Sequence, residues 1–196
     1  MAKTAETSGT HVFFSDLGWM ALAWRDKRLT RPTFGHPSAA AAIASLEGDS
    51  DWTTSDSSNV PAWVAELASR LQSYAAGEKP RFDDVPLDLA HLSPFQTRVV
   101  RACRKIGRGR VKSYGELASA AGSPRAARAV GSVMAHNRFP IIVPCHRVIG
   151  AGRSLGGFSA RDGLSMKRRM LALEGVELSG ERTSRKPKAL PTGRLF

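Results

Sequence analysis

Cysteine is nearly absent from this chain: 196 residues hold two thiols, Cys103 and Cys145. Two are too few for a disulfide framework, so a reducing compartment is the natural reading. Residues 1 to 90 hold none, which excludes a thiolate zinc site there, and histidines alone make a poor substitute, so no metal or other cofactor is expected. Long apolar runs are missing too; nothing approaches the roughly 20 residues that a membrane span requires. No N-terminal basic segment leads into an apolar stretch of the signal-peptide kind, and no internal repeat is evident. A soluble intracellular protein is expected, cytoplasmic, or nuclear if its source is eukaryotic.

Acid is scarce where base is abundant. Residues 1 to 90 carry 8 Lys/Arg against 12 Asp/Glu, a balance of −4, whereas residues 91 to 196 carry 21 against 5, a balance of +16. A basic half joined to a mildly acidic half is the footprint of a nucleic-acid binder, although a cationic surface also suits anionic lipid or an acidic protein.

Residues 1 to 10 are small and polar and are expected to fray. From His11 the runs HVFFSD, GWMALAWRD and KRLTRPTF, with Gly18 and Asp26-Lys27 at the turns, predict an antiparallel meander of two or three strands. A helix is predicted from Ser38 to Leu46, capped by Ser38. Glu47 to Asn59 reads as an exposed acidic loop. A second helix, from Pro61 to Gly77, sets Trp63, Val64, Leu67 and Leu71 on one stripe. Glu78 to Leu92, with two prolines and little periodicity, reads as an extended linker, placing a domain boundary near residue 90.

Beyond it, Ser93 caps a helix from Pro94 to Ile106 with Phe95, Val99, Ala102 and Ile106 inward, and Cys103 reads as a core residue of it. Gly107 to Arg110, GRGR, predicts a tight basic turn whose backbone comes close to something, such as a phosphate. Two short helices follow, Ser113 to Ala121 and Pro124 to His136, around Gly122-Ser123. This is a helix-turn-helix pattern, common also as a packing unit. In the second helix Arg125 and Arg128 lie on one face among Ala126, Ala127, Ala129 and Gly131, so the surface around them is nearly bare. Such a helix can lie close against a DNA backbone or inside a narrow groove. GAGRSLGG, residues 150 to 157, predicts a glycine-rich hairpin or loop. A last helix is predicted over 164–173, and 179–196 as a disordered basic tail.

The stretch IIVPCHRVIG, residues 141 to 150, ends an apolar run on Pro144 and then presents Cys145 and His146 side by side. A thiol becomes a nucleophile only as the thiolate, which a nearby His promotes. Neighbouring side chains on an extended strand point to opposite faces, so direct contact requires a turn after Pro144, or else a bridging water. Glu174 could hold the imidazole in the right tautomer. On spacing alone, a reactive Cys145 and a buried structural one remain equally open.

SPFQ at 93 to 96, SYGELA at 113 to 118, RAVG at 128 to 131, Asn137, PCHRV at 144 to 148, GG at 156 to 157 and LALEG at 171 to 175 together closely resemble the C-terminal domain of the O6-alkylguanine-DNA alkyltransferases, the methylated-DNA-protein-cysteine methyltransferases. The resemblance covers about 80 residues strongly. It implies a two-domain α/β fold: a small N-terminal antiparallel sheet with helices, ribonuclease H-like, over 1–90, and a mainly helical, winged-helix-like domain with the helix-turn-helix over 91–178. It also implies DNA repair by direct damage reversal. Cys145 would take the alkyl group from O6 of guanine irreversibly, so each molecule acts once. His146 would draw the thiol proton through a water, Glu174 would orient His146, and Asn137 would brace the helix-turn-helix against the active-site turn. Tyr114 would donate toward the leaving guanine; Val148, Phe158 and Ser159 would complete the base pocket. Ser113, Arg125, Ala126, Ala127, Arg128 and Gly131 would face the minor groove of double-stranded DNA carrying O6-alkylguanine, with Arg128 entering the stack in place of the flipped base. A monomer in solution is expected, with no membrane partner.

Two segments depart from the family pattern. Arg138 stands where proline is usual, which loosens the chain and adds charge. GFSARDG stands where a tyrosine and a pair of glycines are usual, so Phe158 lacks a hydroxyl and Ala160-Arg161-Asp162 add bulk. Two rival readings are weaker. A protein that only binds the lesion would not need Cys145, and a cysteine hydrolase needs an oxyanion hole that nothing in the motif supplies.

Overall fold

The computed structural model describes residues 8–46 and 60–178; the expected acidic loop, the basic tail and the first seven residues lie outside them. Three strands, β1 (Ser8–Ser15), β2 (Gly18–Arg25) and β3 (Arg28–His36), form the predicted meander, an antiparallel sheet in the order β1-β2-β3. The turn residues act as their chemistry requires. Gly18 takes φ 93°, and Asp26, at φ 54°, opens the two-residue connection between paired Arg25 and Arg28. Aspartate is among the few side chains that tolerate that left-handed conformation.

The central strand is buried on both faces. Met20, Leu22 and Trp24 enter the large core, while Ala21 and Ala23 pack with Ala42 and Leu46 in a smaller cluster under α1 (Ala39–Ala44). Ser38 caps α1 as predicted, accepting from the Ala41 amide at 3.1 Å. The second helix, α2 (Ala62–Ala75), buries Val64, Leu67, Leu71 and Tyr74; Pro61 is its cap rather than its first residue.

The segment predicted as a linker is pinned at several points. Leu87 bridges Leu29 in parallel, with Leu29 N donating to Pro86 O and Asp88 N to Leu29 O. Arg104 donates to the carbonyls of Phe82, Asp83 and Val85, and Arg70 pairs with Asp84 at 2.8 Å. Extended backbone without a sheet partner still needs its polar groups satisfied, and here arginines supply the donors.

Six further helices and strands follow: α3 (Pro94–Arg104), β4 (Lys112–Ser113), α4 (Tyr114–Ala120), α5 (Ala127–Ala135), β5 (Val148–Ile149), which is a short parallel partner of β4, and the final α6 (Gly163–Leu173). Ser93 with Gln96 and Ser113 with Glu116 each close a reciprocal capping box, an arrangement worth about 1 kcal/mol per cap. Cys103 is fully buried in α3, the core position expected of it.

One helix starts late. The second helix of the helix-turn-helix begins at Ala127, not Pro124, so Arg125 and Ala126 precede it and Ser123 does not cap it. Ser123 to Ala126 instead closes a turn, with Ala126 N donating to Ser123 O at 2.9 Å. Proline is as well suited to the second position of a turn as to the first of a helix, and here the turn prevails. The core is continuous from the sheet through α2 and α3 to α6. Among the described residues no helix is long and apolar enough to cross a membrane.

Candidate active site

After Pro144 the chain does turn. Cys145–Arg147 form one 3-10 turn rather than a strand, entered by way of Ile141 at φ 71°. This separates the two neighbours: Cys145 lies at the base of a cavity of about 450 Å³, while His146 is fully buried behind it. Tyr114, Gly131, Met134, Ala135, Gly157, Phe158 and Ser159 line the cavity around the thiol. Its walls therefore come from α5, from Tyr114 at the start of α4 and from the loop after β5.

Of the sequence-expected pocket residues, Tyr114, Phe158 and Ser159 line this cavity, and so does Gly131 from the DNA-facing set. Val148 does not; it is buried, and its carbonyl accepts from Lys167 Nζ at 2.6 Å. Ser159 Oγ donates to Ala135 O at 2.7 Å, tying the pocket loop to the end of α5. Gly156 takes φ +68°, and a Cβ there would stand 3.0 Å from the Tyr114 ring, so only glycine fits.

Asn137 follows α5 and bonds within the segment that leads to the turn. Its Nδ2 donates to Val143 O at 2.9 Å, its Oδ1 accepts from Phe139 N at 3.0 Å, and its side chain also hydrogen-bonds the Cys145 thiol. Burial pushes the Cys145 thiol up, opposed by the Asn137 hydrogen bond and the Lys167 charge. The resting sulfur is therefore a neutral thiol.

Behind it, His146 Nε2 stands 2.8 Å from Glu174 Oε1, which accounts for a proton on Nε2. His146 Nδ1 is buried and has no hydrogen-bond partner among the described residues. Burial holds the imidazole below its usual range despite Glu174, so it rests neutral with Nδ1 as an open base. Glu174 also accepts from Tyr74 Oη (2.9 Å), Arg147 Nε (2.8 Å) and Arg147 Nη2 (2.9 Å). Burial opposes its ionisation, but the hydrogen bonds with His146 and Arg147 and the Arg147 charge hold it well below the usual carboxylate range.

The GRGR turn is exposed at Gly107, Gly109 and Arg110, but it touches the site from one side. Gly109 N–H points at Glu174 Oε2 at 3.4 Å, and Arg108 donates to the carbonyls of Gly77 and Leu173. The group its backbone approaches is thus the Glu174 carboxylate.

Tyr74, Arg147 and Lys167 were not singled out by the sequence reading. Lys167 carried a signal: it shares the α6 face of Met170 and Leu171, where a cation is out of place. Its Nζ also contacts Gly157 O at 3.2 Å, and burial lowers its pKa to about 8. Tyr74 continues the α2 stripe of Leu67 and Leu71, which marks a core residue and nothing more.

Ser113 is engaged in its capping box. Arg125 and Arg128 are exposed, Arg128 on the first turn of α5, with half-buried Ala126 and Ala127 beside them. Among the described residues no three His, Cys, Asp or Glu side chains stand close enough together to hold a metal ion.

The family described as 6-O-methylguanine DNA methyltransferase, DNA binding domain, matches residues 94–176. A methylated-DNA–protein-cysteine methyltransferase of Mycolicibacterium paratuberculosis is 48% identical over 114 residues, 58% of this chain and 67% of that protein. One of Mycobacterium bovis is 41% identical over 140 residues, 71% of this chain and 82% of that protein. The chain belongs to the methylated-DNA–protein-cysteine methyltransferase family. Among solved structures, the family member OGT of Mycobacterium tuberculosis, in complex with DNA, superimposes with a TM-score of 0.67 at 36% identity, covering 85% of this chain and 93% of that one. The likeness therefore extends over the N-terminal sheet as well as the methyltransferase motifs.

Proposed function

We propose that the protein repairs DNA by transferring the alkyl group of O6-alkylguanine to Cys145, once per molecule. The observation that carries this reading is a neutral thiol at the base of a cavity with a buried, neutral imidazole behind it whose Nδ1 is open. As the sulfur attacks the alkyl carbon, its proton passes through a water to His146 Nδ1, and Glu174 stabilises the imidazolium through Nε2–H. The S–C bond forms as the C–O6 bond breaks. Tyr114, on the cavity wall, donates toward the guanine as charge develops on it, a stabilisation that matters most in the transition state. A thioether has no easy way back, so the protein is consumed.

Duplex DNA hides O6 inside the stack, so the nucleotide must be flipped out at a cost of a few kcal/mol. Arg128, exposed on the first turn of α5, enters the stack and offsets that loss, with α5 in the minor groove. Arg125 is placed for the backbone, and Ser113, Ala126, Ala127 and Gly131 form the close-approaching surface around it. Val148 acts from below the pocket, through its carbonyl. The OGT of Mycobacterium tuberculosis forms a complex with DNA, and we extend this to duplex DNA bearing O6-alkylguanine here. We read residues 1–90 as a ribonuclease H-like structural domain, 91–178 as a winged-helix-like alkyltransferase domain and 179–196 as a basic tail. We take the protein to be soluble, intracellular and monomeric.

The test is repair itself. Duplex carrying O6-methylguanine is incubated with protein and its bases are analysed: guanine should be restored by the parent and not by Cys145→Ala, which still binds. Equal restoration by both would refute the assignment of Cys145.

A further inference from the structure

We propose that Tyr74, contributed by the N-terminal half, is a positioning residue of the transfer relay, whose hydroxyl holds His146 in the tautomer that leaves Nδ1 free to take the thiol proton. The inference rests on the alkyl-transfer reading above.

Three polar atoms meet behind the cysteine. Tyr74 Oη lies 2.9 Å from Glu174 Oε1 and 3.2 Å from His146 Nε2, and Nε2 lies 2.8 Å from the same Oε1. All three residues are buried, so no bulk water is available to repair a mismatch. A carboxylate oxygen only accepts, so the phenol proton goes to Oε1, and the remaining lone pairs of Oη face Nε2. The imidazole then meets two acceptors on one side. A proton on Nε2 satisfies both; a proton on Nδ1 would set the Nε2 lone pair against them. Without Tyr74, only one acceptor selects the tautomer, and the carboxylate is held, besides the imidazole itself, by Arg147 and Gly109.

The hydroxyl is held in place by its ring. Tyr74 is 1% exposed, meets Phe82 edge-on at 6.2 Å between centroids, and carries the Arg108 guanidinium 5.6 Å above its ring. Burial and the Glu174 charge push its ionisation far above the usual phenol range, so it donates throughout the working pH range. The groups that act electrostatically on His146 are Glu174 and Lys167 from α6 and its end and Arg147 on its own turn; Cys145 precedes it, and Tyr74 faces it from α2, with Arg108 beyond the ring. Tyr74→Phe changes none of these charges. It removes one donor from Glu174, which then stabilises the imidazolium more strongly and shifts His146 titration upward.

The experiment compares the parent with Tyr74→Phe, full length, using free O6-methylguanine base so that DNA binding does not enter. Tyr74→Phe should react about tenfold more slowly, a fraction of the ~10⁴ that disabling a whole orienting carboxylate can cost. The acid limb of its pH-rate profile should move to higher pH. Long-range 15N–1H spectra of His146 should show the Nε2–H tautomer in the parent and a mixture of tautomers in the variant. Unchanged rate, limb and tautomer would overturn the proposal. If Tyr74→Phe does not fold, the parent spectrum decides alone: a proton on Nδ1 refutes the inference, and one on Nε2 with a slowly exchanging Tyr74 hydroxyl proton supports it. A parent that transfers no alkyl group refutes the functional reading, while the tautomer measurement still judges Tyr74.

Discussion

Replacing Lys167 by methionine exchanges a buried cation for an apolar chain of similar length. Lys167 is fully buried, and its pKa falls from the ordinary 10.5 to about 8 because burial penalises the charge. The folded protein thus binds the Lys167 proton more weakly than the unfolded chain does. Below pH 8 both states are charged and folding carries the whole desolvation cost. Between pH 8 and 10.5 the unfolded state alone holds the proton, and the contribution of this group to stability rises with pH. The 2.5-unit gap corresponds to roughly 3 kcal/mol. Lys167→Met has no such term, so its stability relative to the parent should fall by that amount from pH 7 to 10.5. Urea unfolding of both proteins in a Cys145→Ser background, which removes the thiol nearest the ammonium, gives the difference directly. A difference that stays flat over this window would show that the carbonyls of Val148 and Gly157 fully compensate the buried charge, and would refute the reasoning.

Other outcomes follow from the same geometry. Arg128→Ala should slow repair of duplex far more than reaction with the free base; equal losses in stopped-time assays would remove the role in base flipping. Glu174→Gln leaves Nε2 facing a neutral amide and Arg147 without a counter-charge, and should lower the transfer rate by about 10² to 10⁴ in single-turnover kinetics. A near-parental rate would exclude the relay. Because burial raises the Cys145 thiol above its usual range, its alkylation by iodoacetamide should stay slow near neutrality and climb only in more alkaline buffer. A plateau already at pH 7 would mean a preformed thiolate. Gly156→Ala, forced to φ +68° and against Tyr114, should reduce transfer by at least about tenfold with circular dichroism unchanged, and parental activity would contradict the fit of the pocket.

Local chemistry was legible in the sequence. The alternating runs around Gly18 and Asp26-Lys27, the Ser38 cap and the Ser93 start each depend on residues a few positions apart, and each formed as read. Ser123-Pro124 was misread because the same dipeptide begins a turn as readily as a helix. The linker was read as free because its partners, Leu29, Arg70 and Arg104, lie far away in sequence. The site divides in the same way. Cys145, His146 and Glu174 stand out in the sequence as a possible nucleophile set, left open on spacing alone, and the resemblance decides for them and adds Asn137 and Tyr114. Tyr74, Arg147 and Lys167 have roles that arise only when α2, the turn at 145–147 and α6 converge, and periodicity reads such residues as core or surface.

The central claim is that the alkyl group ends on one particular sulfur. After reaction with an equimolar duplex containing a single O6-methylguanine, the protein is digested and the peptides carrying Cys103 and Cys145 are weighed. One methyl group per protein on the Cys145 peptide, with the Cys103 peptide unchanged and no further repair on adding fresh substrate, is the predicted result. An unmodified Cys145 peptide beside repaired DNA, or repair that continues past one equivalent, would contradict the account.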